Sequence, residues 1–333
     1  MKHIKNLIIG CDWGTSFFRL RVIDSSTNSV LAELTSEDGI AKTNKKVEKE
    51  SDRFGLFCEV ISENLDALKT KVDFEIDSLT IVLSGMASSS IGMKELPYGH
   101  LPFGVRDAFG LDVEVFENNA SFPNPLILIS GLRDKHDVMR GEEVQLLGLA
   151  HLMEFSKEEE TIIILPGTHS KHCFVKNGVL NHFQTYLTGE LYQILSEYSI
   201  LSNSVTKETL KAWTPKASEA FSKGVLDAKD SSMLVNLFKV RTNFLFSEMD
   251  KPENALYLSG LLIGEELGNI SLPSDSRPII LCGGENMNVL YKKAVEALGI
   301  ESRTQFVADD ILIKSTIAGQ SEVFKIHNKK LND

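Results

Sequence analysis

This chain writes the same unusual pattern twice, and that repetition limits what it can fold into. Leu7, Ile8 and Ile9 form a short apolar run of the kind a buried strand makes. A tight polar loop follows, Asp12, Trp13, Gly14, Thr15 and Ser16. Then Phe18, Leu20 and Val22 alternate with Arg19 and Arg21, as a second strand does. Asp24 to Asn28 is a turn by composition, and Val30 to Leu34 alternates as a third strand. Much later, Thr161 to Leu165 is again a buried strand, and Pro166 to Lys171 forms a second Gly-Thr-Ser loop. His172 to Val175 reads as a strand, Asn177-Gly178 as a hairpin turn, Val179 to Phe183 as a third strand and Tyr186 to Leu195 as a helix. An internal duplication explains the recurrence more simply than coincidence.

The loop residues suggest a ligand. A carboxylate at a strand end, a glycine and two hydroxyls suit a metal-bound phosphate, with Asp12 facing the cation's water shell. Asp, Gly, Thr and Ser are also ordinary turn residues, so one such loop alone says little. Two of them, one per duplicated half, could clamp one polyphosphate from both sides.

At 333 residues the chain exceeds what one hydrophobic core usually serves, which predicts two domains. A net charge of −11 repels phosphate backbones, so nucleic acid is not an expected partner. No apolar run reaches the roughly 18 residues of a membrane span, and the N-terminal apolar run is too short for a signal peptide. Cys11, Cys58, Cys173 and Cys282 are scattered without zinc spacing and read as reduced thiols of a cytoplasmic protein.

Between the two loops, Phe54 to Leu68 has helical spacing, and Leu79 to Leu83 is a buried strand ending in Ser84, Gly85, Met86 and a serine run. Such a loop at a strand end is where α/β folds place ligands, or it is simply flexible. Lys94 to Pro102 carries Glu95, Tyr98 and His100, as a lid or sugar-binding loop would. Pro125 to Ser130 is another strand, and Arg140 to Ala150 is helical. Asp137 falls where a helix cap would be. It also keeps company with Arg133, Arg140 and Glu142, a set that could take a hydroxyl proton and pair with a substrate carboxylate. His151 to Glu160 is the candidate domain boundary.

The rest is mostly helical, over Leu210 to Ala220, Ser231 to Phe246, Asn254 to Leu267 and Asn286 to Leu298. Ser259, Gly260 and Gly264 share one face, which permits close helix packing. The strand Pro278 to Cys282 ends in Gly283-Gly284, where a flat ring could lie against bare backbone.

DWGTS at Asp12 to Ser16, SGM at Ser84 to Met86, DVMRGEEVQ at Asp137 to Gln145, LPGTHSKH at Leu165 to His172, TGEL at Thr188 to Leu191 and YLSGLLIGEEL at Tyr257 to Leu267 carry a resemblance. Together the chain is similar to the 2-dehydro-3-deoxygalactonokinase family, within the actin, hexokinase and heat-shock ATPase superfamily. The resemblance implies an α/β fold of two duplicated ribonuclease H-like (actin/hexokinase-type) domains with an interdomain cleft. Residues 1–155 would hold the sugar-acid site and 156–333 the nucleotide site, with the last helix free to pack back on the N-terminal domain.

The activity implied is transfer of the ATP γ-phosphate to the 6-hydroxyl of 2-dehydro-3-deoxy-D-galactonate, with Mg²⁺, by a cytoplasmic enzyme for which a homodimer is one candidate assembly. Under it, Asp12 holds the metal through water, and Gly14, Thr15 and Ser16 face Gly167, Thr168 and Ser170 across the phosphates. Asp137 is the base, with Glu142 and Glu143 next in line. Arg140 pairs with the substrate carboxylate, with Arg133 and Lys171 as rivals, and Ser84, Gly85, Met86 and Glu142 complete the sugar-acid site. Gly283 and Gly284 border adenine. The second loop lacks the Asp of many superfamily members, leaving Asp12 alone on the metal or Thr168, Ser170 and Lys171 on the phosphates. A kinase of the gluconate-derived epimer and a non-catalytic ATP-binding protein are the alternatives.

Overall fold

The structure, a computed structural model, describes residues 6–118, 122–206 and 213–332. The chain forms two compact units. The first comprises Met1–Phe155, Gly178–His182 and Asp310–Asp333, and the second Ser156–Asn177 and Phe183–Asp309.

In the first unit, the strands are β1 (Leu7–Trp13), β2 (Phe18–Asp24), β3 (Ser29–Ser36), β4 (Ile81–Gly85), β5 (Gly99–His100), β6 (Phe103–Gly104), β7 (Val113–Phe116), β8 (Leu126–Ile129), β9 (Leu132–Arg133) and β10 (Val138–Met139). The helices are α1 (Ile40–Asn44), α2 (Arg53–Lys69) and α3 (Glu142–Leu152). The main sheet has the order β3-β2-β1-β4-β8-β7. β1 pairs antiparallel with β2 and parallel with β4, and β4 pairs parallel with β8. β1 is buried and apolar from Leu7 to Cys11, and β4 from Ile81 to Leu83, because the middle of a sheet covered on both faces leaves no polar side; Asp12 and Ser84 come only at the strand ends. Trp13 anchors one face, fully buried, its ring edge-on to Phe18 at 4.7 Å and 5.1 Å from Phe57 on α2. Burying side chains of this size contributes roughly 1.5–3 kcal/mol each, the main source of this unit's stability.

The second unit contains β11 (Thr161–Leu165), β12 (Ser170–Lys176), the end of β13 (Val179–Tyr186), β14 (Ile279–Leu281) and β15 (Thr304–Phe306). Its helices are α4 (Thr188–Tyr198), α5 (Pro215–Asp230), α6 (Met233–Leu245), α7 (Lys251–Gly268) and α8 (Glu285–Leu298). The sheet runs β15-β14-β11-β12-β13. β11 pairs antiparallel with β12 and parallel with β14, and β14 pairs parallel with β15. Each unit thus repeats one plan, an antiparallel meander followed by parallel strands. This strand order is the duplication of ribonuclease H-like α/β domains that the sequence predicts.

Local chemistry accounts for the boundaries. Asn177 and Gly178 both take positive φ, 53° and 73°, the requirement of a type I′ hairpin turn. Asp250 and Glu253 form a reciprocal capping box on α7. At Gly260 a side chain would lie 2.2 Å from the Phe221 carbonyl oxygen, so α5 packs directly on the small-residue face of α7. Of the helix expected over Leu210 to Ala220, residues 210–212 lie outside the described residues; α5 starts at Pro215, after a Thr214 side-chain cap. α9 (Asp309–Asn332) counts with the first unit from Asp310, and Gln320 Nε2 donates to Cys11 O and Ser84 Oγ, both at 3.0 Å.

Candidate active site

In the first unit, Asp12 stands near the end of β1, partly exposed, beside the hairpin loop. Gly14 N–H donates to Phe17 O at 2.9 Å, closing the loop with Thr15 and Ser16 exposed on it. The first amides of α1, Ile40 and Ala41, donate to Gly14 O and Thr15 O and pin its base. Burial pushes the Asp12 carboxyl up, and Arg19 and Arg21 pull against it without fully offsetting it.

Two glycines bring more backbone to the same place. Gly85 ends β4 at φ +89°, and Gly141 precedes α3 at φ +109°, both in the left-handed region that favours glycine. A Cβ on Gly85 would meet Trp13 O at 2.7 Å and Asp12 Oδ1 at 3.5 Å, and one on Gly141 would meet Gly85 Cα at 3.5 Å. The ends of β1 and β4 and the turn into α3 therefore converge on Asp12.

That turn carries Arg140, Glu142 and Glu143. The Arg140 guanidinium lies 4.2 Å from the Tyr98 ring centroid, its Nη1 donates to Ser88 Oγ at 2.5 Å, and its buried Nε has no partner among the described residues. Glu142 accepts the Arg140 N–H at 3.0 Å. Glu143 is fully buried and accepts the Gly141 N–H on both oxygens at 2.8 Å. Burial first, and then the neighbouring Glu142, raise its carboxyl to about 8.

Asp137 does not cap α3 as its position in the sequence suggests. Gly141 occupies the cap, and Asp137 lies in the turn of the β9–β10 hairpin, where its Oδ1 accepts Val138 N–H at 2.7 Å. Two-residue strands are too short for alternation to reveal them, and a cap is the commoner role for such an Asp. Ser84 is buried rather than lining an open loop, and its hydroxyl donates to Cys11 O at 3.3 Å. Met86 begins a short 3₁₀ turn. Arg133 is exposed on β9 beside His100.

In the second unit, Gly167, Thr168 and His169 form the loop between β11 and β12, with Thr168 exposed. Gly189 at the start of α4 packs on this loop, since a Cβ there would lie 2.6 Å from Gly167 O. Glu190 N–H donates to Thr168 O at 3.0 Å, and the Glu190 carboxylate pairs with His169. Ser170 and Lys171 fall on β12, not on the loop surface. Ser170 is fully buried with its hydroxyl on Glu266, and Lys171 is nearly so, donating to His169 O at 3.3 Å. Gly283 and Gly284 end the segment after β14, and Gly284 caps α8.

The first turns of α8 help wall a cavity of about 490 Å³, lined by Gly189, Tyr192, Leu256, Ser259, Met287 and Leu290 among others. Its walls are mostly apolar, as a flat aromatic ligand needs. The phosphate-type loop lies against the same Gly189. No group of three or more His, Cys, Asp and Glu able to hold a metal ion occurs among the described residues. A lone, partly exposed Asp12 fits Mg²⁺ held largely by water and phosphate oxygens.

A family model described as 2-keto-3-deoxy-galactonokinase matches residues 12–317, which include Asp12, both phosphate-type loops and the cavity walls. The chain belongs to this family. DgoK1 of Rhizobium meliloti (strain 1021), assigned as a 2-dehydro-3-deoxygalactonokinase, is 31% identical over 301 residues, covering 88% of this chain and 90% of that protein. The 2-dehydro-3-deoxygalactonokinase of Escherichia coli (strain K12) is 26% identical over 299 residues, covering 88% and 90%. A solved structure of a Sinorhizobium meliloti protein assigned to the same activity superposes with a TM-score of 0.79 at 27% identity, over 95% of this chain and 99% of that one. Family membership makes the chain an enzyme of the kinase class, and no helix among the described residues is long and apolar enough to cross a membrane.

Of the residues that sequence reasoning passed over, Ser88, Gly141, Gly189 and Glu266 matter most. Gly141, Gly189 and Glu266 lie inside the family-like blocks RGEE, TGEL and GEEL, which was the available signal. In the sequence Tyr98 reads as part of a lid or sugar-binding loop, without its stack on Arg140.

Proposed function

We propose that this enzyme transfers the γ-phosphate of ATP to the 6-hydroxyl of 2-dehydro-3-deoxy-D-galactonate. The observation that carries the reading is the family match over residues 12–317, which runs through both phosphate-type loops and the apolar cavity. In phosphoryl transfer, catalysis is mostly positioning and charge neutralisation. Each unit contributes one loop. Gly14, Thr15 and Ser16 bind phosphate oxygens in the first, and Gly167 and Thr168 do so in the second, with Ser170 and Lys171 supporting from β12. Asp12 would hold Mg²⁺, and that ion would supply neutralisation of phosphate charge.

The adenine ring occupies the cavity between α4, α7 and α8, with Gly283 and Gly284 at its border. Arg140 binds the substrate carboxylate, its guanidinium plane held by Tyr98 and Ser88, as bidentate pairing requires. Ser84, Gly85, Met86 and Glu142 shape the rest of that site. Asp137 accepts the hydroxyl proton, with Glu142 and Glu143 as the rival carboxylates.

An assay of ADP release with ATP and a panel of six-carbon keto-deoxy acids tests the reading. The galactonate-derived acid should give the highest kcat/KM. Preference for the gluconate-derived epimer would reassign the substrate, and ATP binding without turnover on any acid would remove the kinase reading.

A further inference from the structure

We infer that Glu266 is a positioning residue for the nucleotide, its buried carboxylate tying the second phosphate loop, the start of α4 and the first turns of α8 into one frame. The inference rests on the reading above that this unit binds ATP.

Glu266 lies on α7 and is 1% exposed. Its neighbour Glu265 points to solvent, so only the second carboxylate of the GEEL block is used internally. Burying an unpaired carboxylate costs several kcal/mol, so such a group persists only where donors surround it. Ser170 donates to Oε1 at 2.7 Å, and His172 Nε2 faces Oε1 at 3.1 Å. Thr188 donates to Oε2, and the Tyr291 hydroxyl contacts both oxygens, at 2.9 and 2.8 Å. Burial pushes the carboxyl up, but His172 and the hydroxyls outweigh it and hold it below the usual range. The same burial and charge keep the Tyr291 phenol protonated as a donor.

The donors are not scattered through the core. Ser170 is the residue at which the phosphate loop re-enters β12. Thr188 starts the helix whose Gly189 packs on Gly167 and whose Glu190 amide holds Thr168 O. Tyr291 follows Leu290, a wall of the cavity. One carboxylate therefore joins the three elements around the expected phosphate and base positions; Glu266 is not itself a cavity wall, while its partner Thr188 is. Ordering these elements before binding lowers the entropy that ATP must overcome.

Glu266→Gln keeps the shape but replaces one acceptor oxygen with an NH₂ facing donors. Thr188→Val removes one hydroxyl at nearly constant volume. In the full-length enzyme, both should weaken ADP binding by calorimetry and raise the KM for ATP by about tenfold. The KM for the sugar acid should stay within about twofold. Amide exchange should quicken in peptides covering 166–172 and 187–191, and in Glu266→Gln also 285–292, and nowhere else.

Unchanged ADP affinity in either folded variant overturns the inference. So does a loss that strikes both substrates and speeds exchange throughout, which is what plain core support would give. If Glu266→Gln does not fold, Thr188→Val decides alone. Wild-type enzyme that binds no ADP would remove the nucleotide reading and this inference with it. Wild-type enzyme that binds ADP but phosphorylates no acid would remove only the acceptor.

Discussion

The guanidinium of Arg140 stacks on the ring of Tyr98 at 4.2 Å while its Nη1 donates to Ser88. A flexible cation is thereby held as a plane in a defined orientation. Lysine would keep the charge but neither the stack nor the fork of donors. Arg140→Lys should raise the KM for the sugar acid by about tenfold or more, the scale of one charged hydrogen bond, with the KM for ATP near wild type. Steady-state kinetics in each substrate checks the split.

Asp137→Asn should lower kcat by about 10²–10⁴-fold, the usual contribution of a general base, without weakening ATP binding. Glu142→Gln and Glu143→Gln measured alongside will show which carboxylate of this segment takes the proton. Full turnover in Asp137→Asn moves the role to one of them.

Gly189→Ala should be costly because its Cβ would lie 2.6 Å from Gly167 O and 2.8 Å from Thr168 Cα, both backbone atoms that cannot rotate away. Overpacking of this kind costs about 1–3 kcal/mol. A lower melting temperature together with a raised KM for ATP is the expected outcome, since the displaced segment is the phosphate loop itself.

Glu143 gives a pH dependence with a defined sign. Its folded carboxyl titrates near 8 and its unfolded one in the ordinary carboxylate range, so between these values the folded state binds more protons. Its contribution is therefore full at low pH and is lost as pH rises toward about 8. Glu143→Gln should flatten part of the fall in melting temperature over that window. An identical slope in wild type and variant would count against a protonated Glu143.

Much of the fold was legible in the chain. β1 and β11 are apolar runs because both lie inside sheets, and Asn177-Gly178 can hardly be read as anything but a tight hairpin. The two Gly-Thr loops were visible because phosphate-type loops use short, contiguous segments. Asp137 was misplaced because a local pattern cannot distinguish a cap from the turn of a two-residue hairpin.

What the sequence determined by itself is therefore whatever depends on near neighbours: strand runs, turns, the duplicated order and the loops that end the first strand of each half. Only the tertiary structure decided which distant side chains share a site. Tyr98 meets Arg140 across 42 positions, and Glu266 gathers donors from Ser170, 96 residues before it, to Tyr291, 25 residues after it. The physical reason is that a buried charge must find its partners in space. Which segments supply them is set by the packing of the sheet and helices, and no local periodicity records that choice.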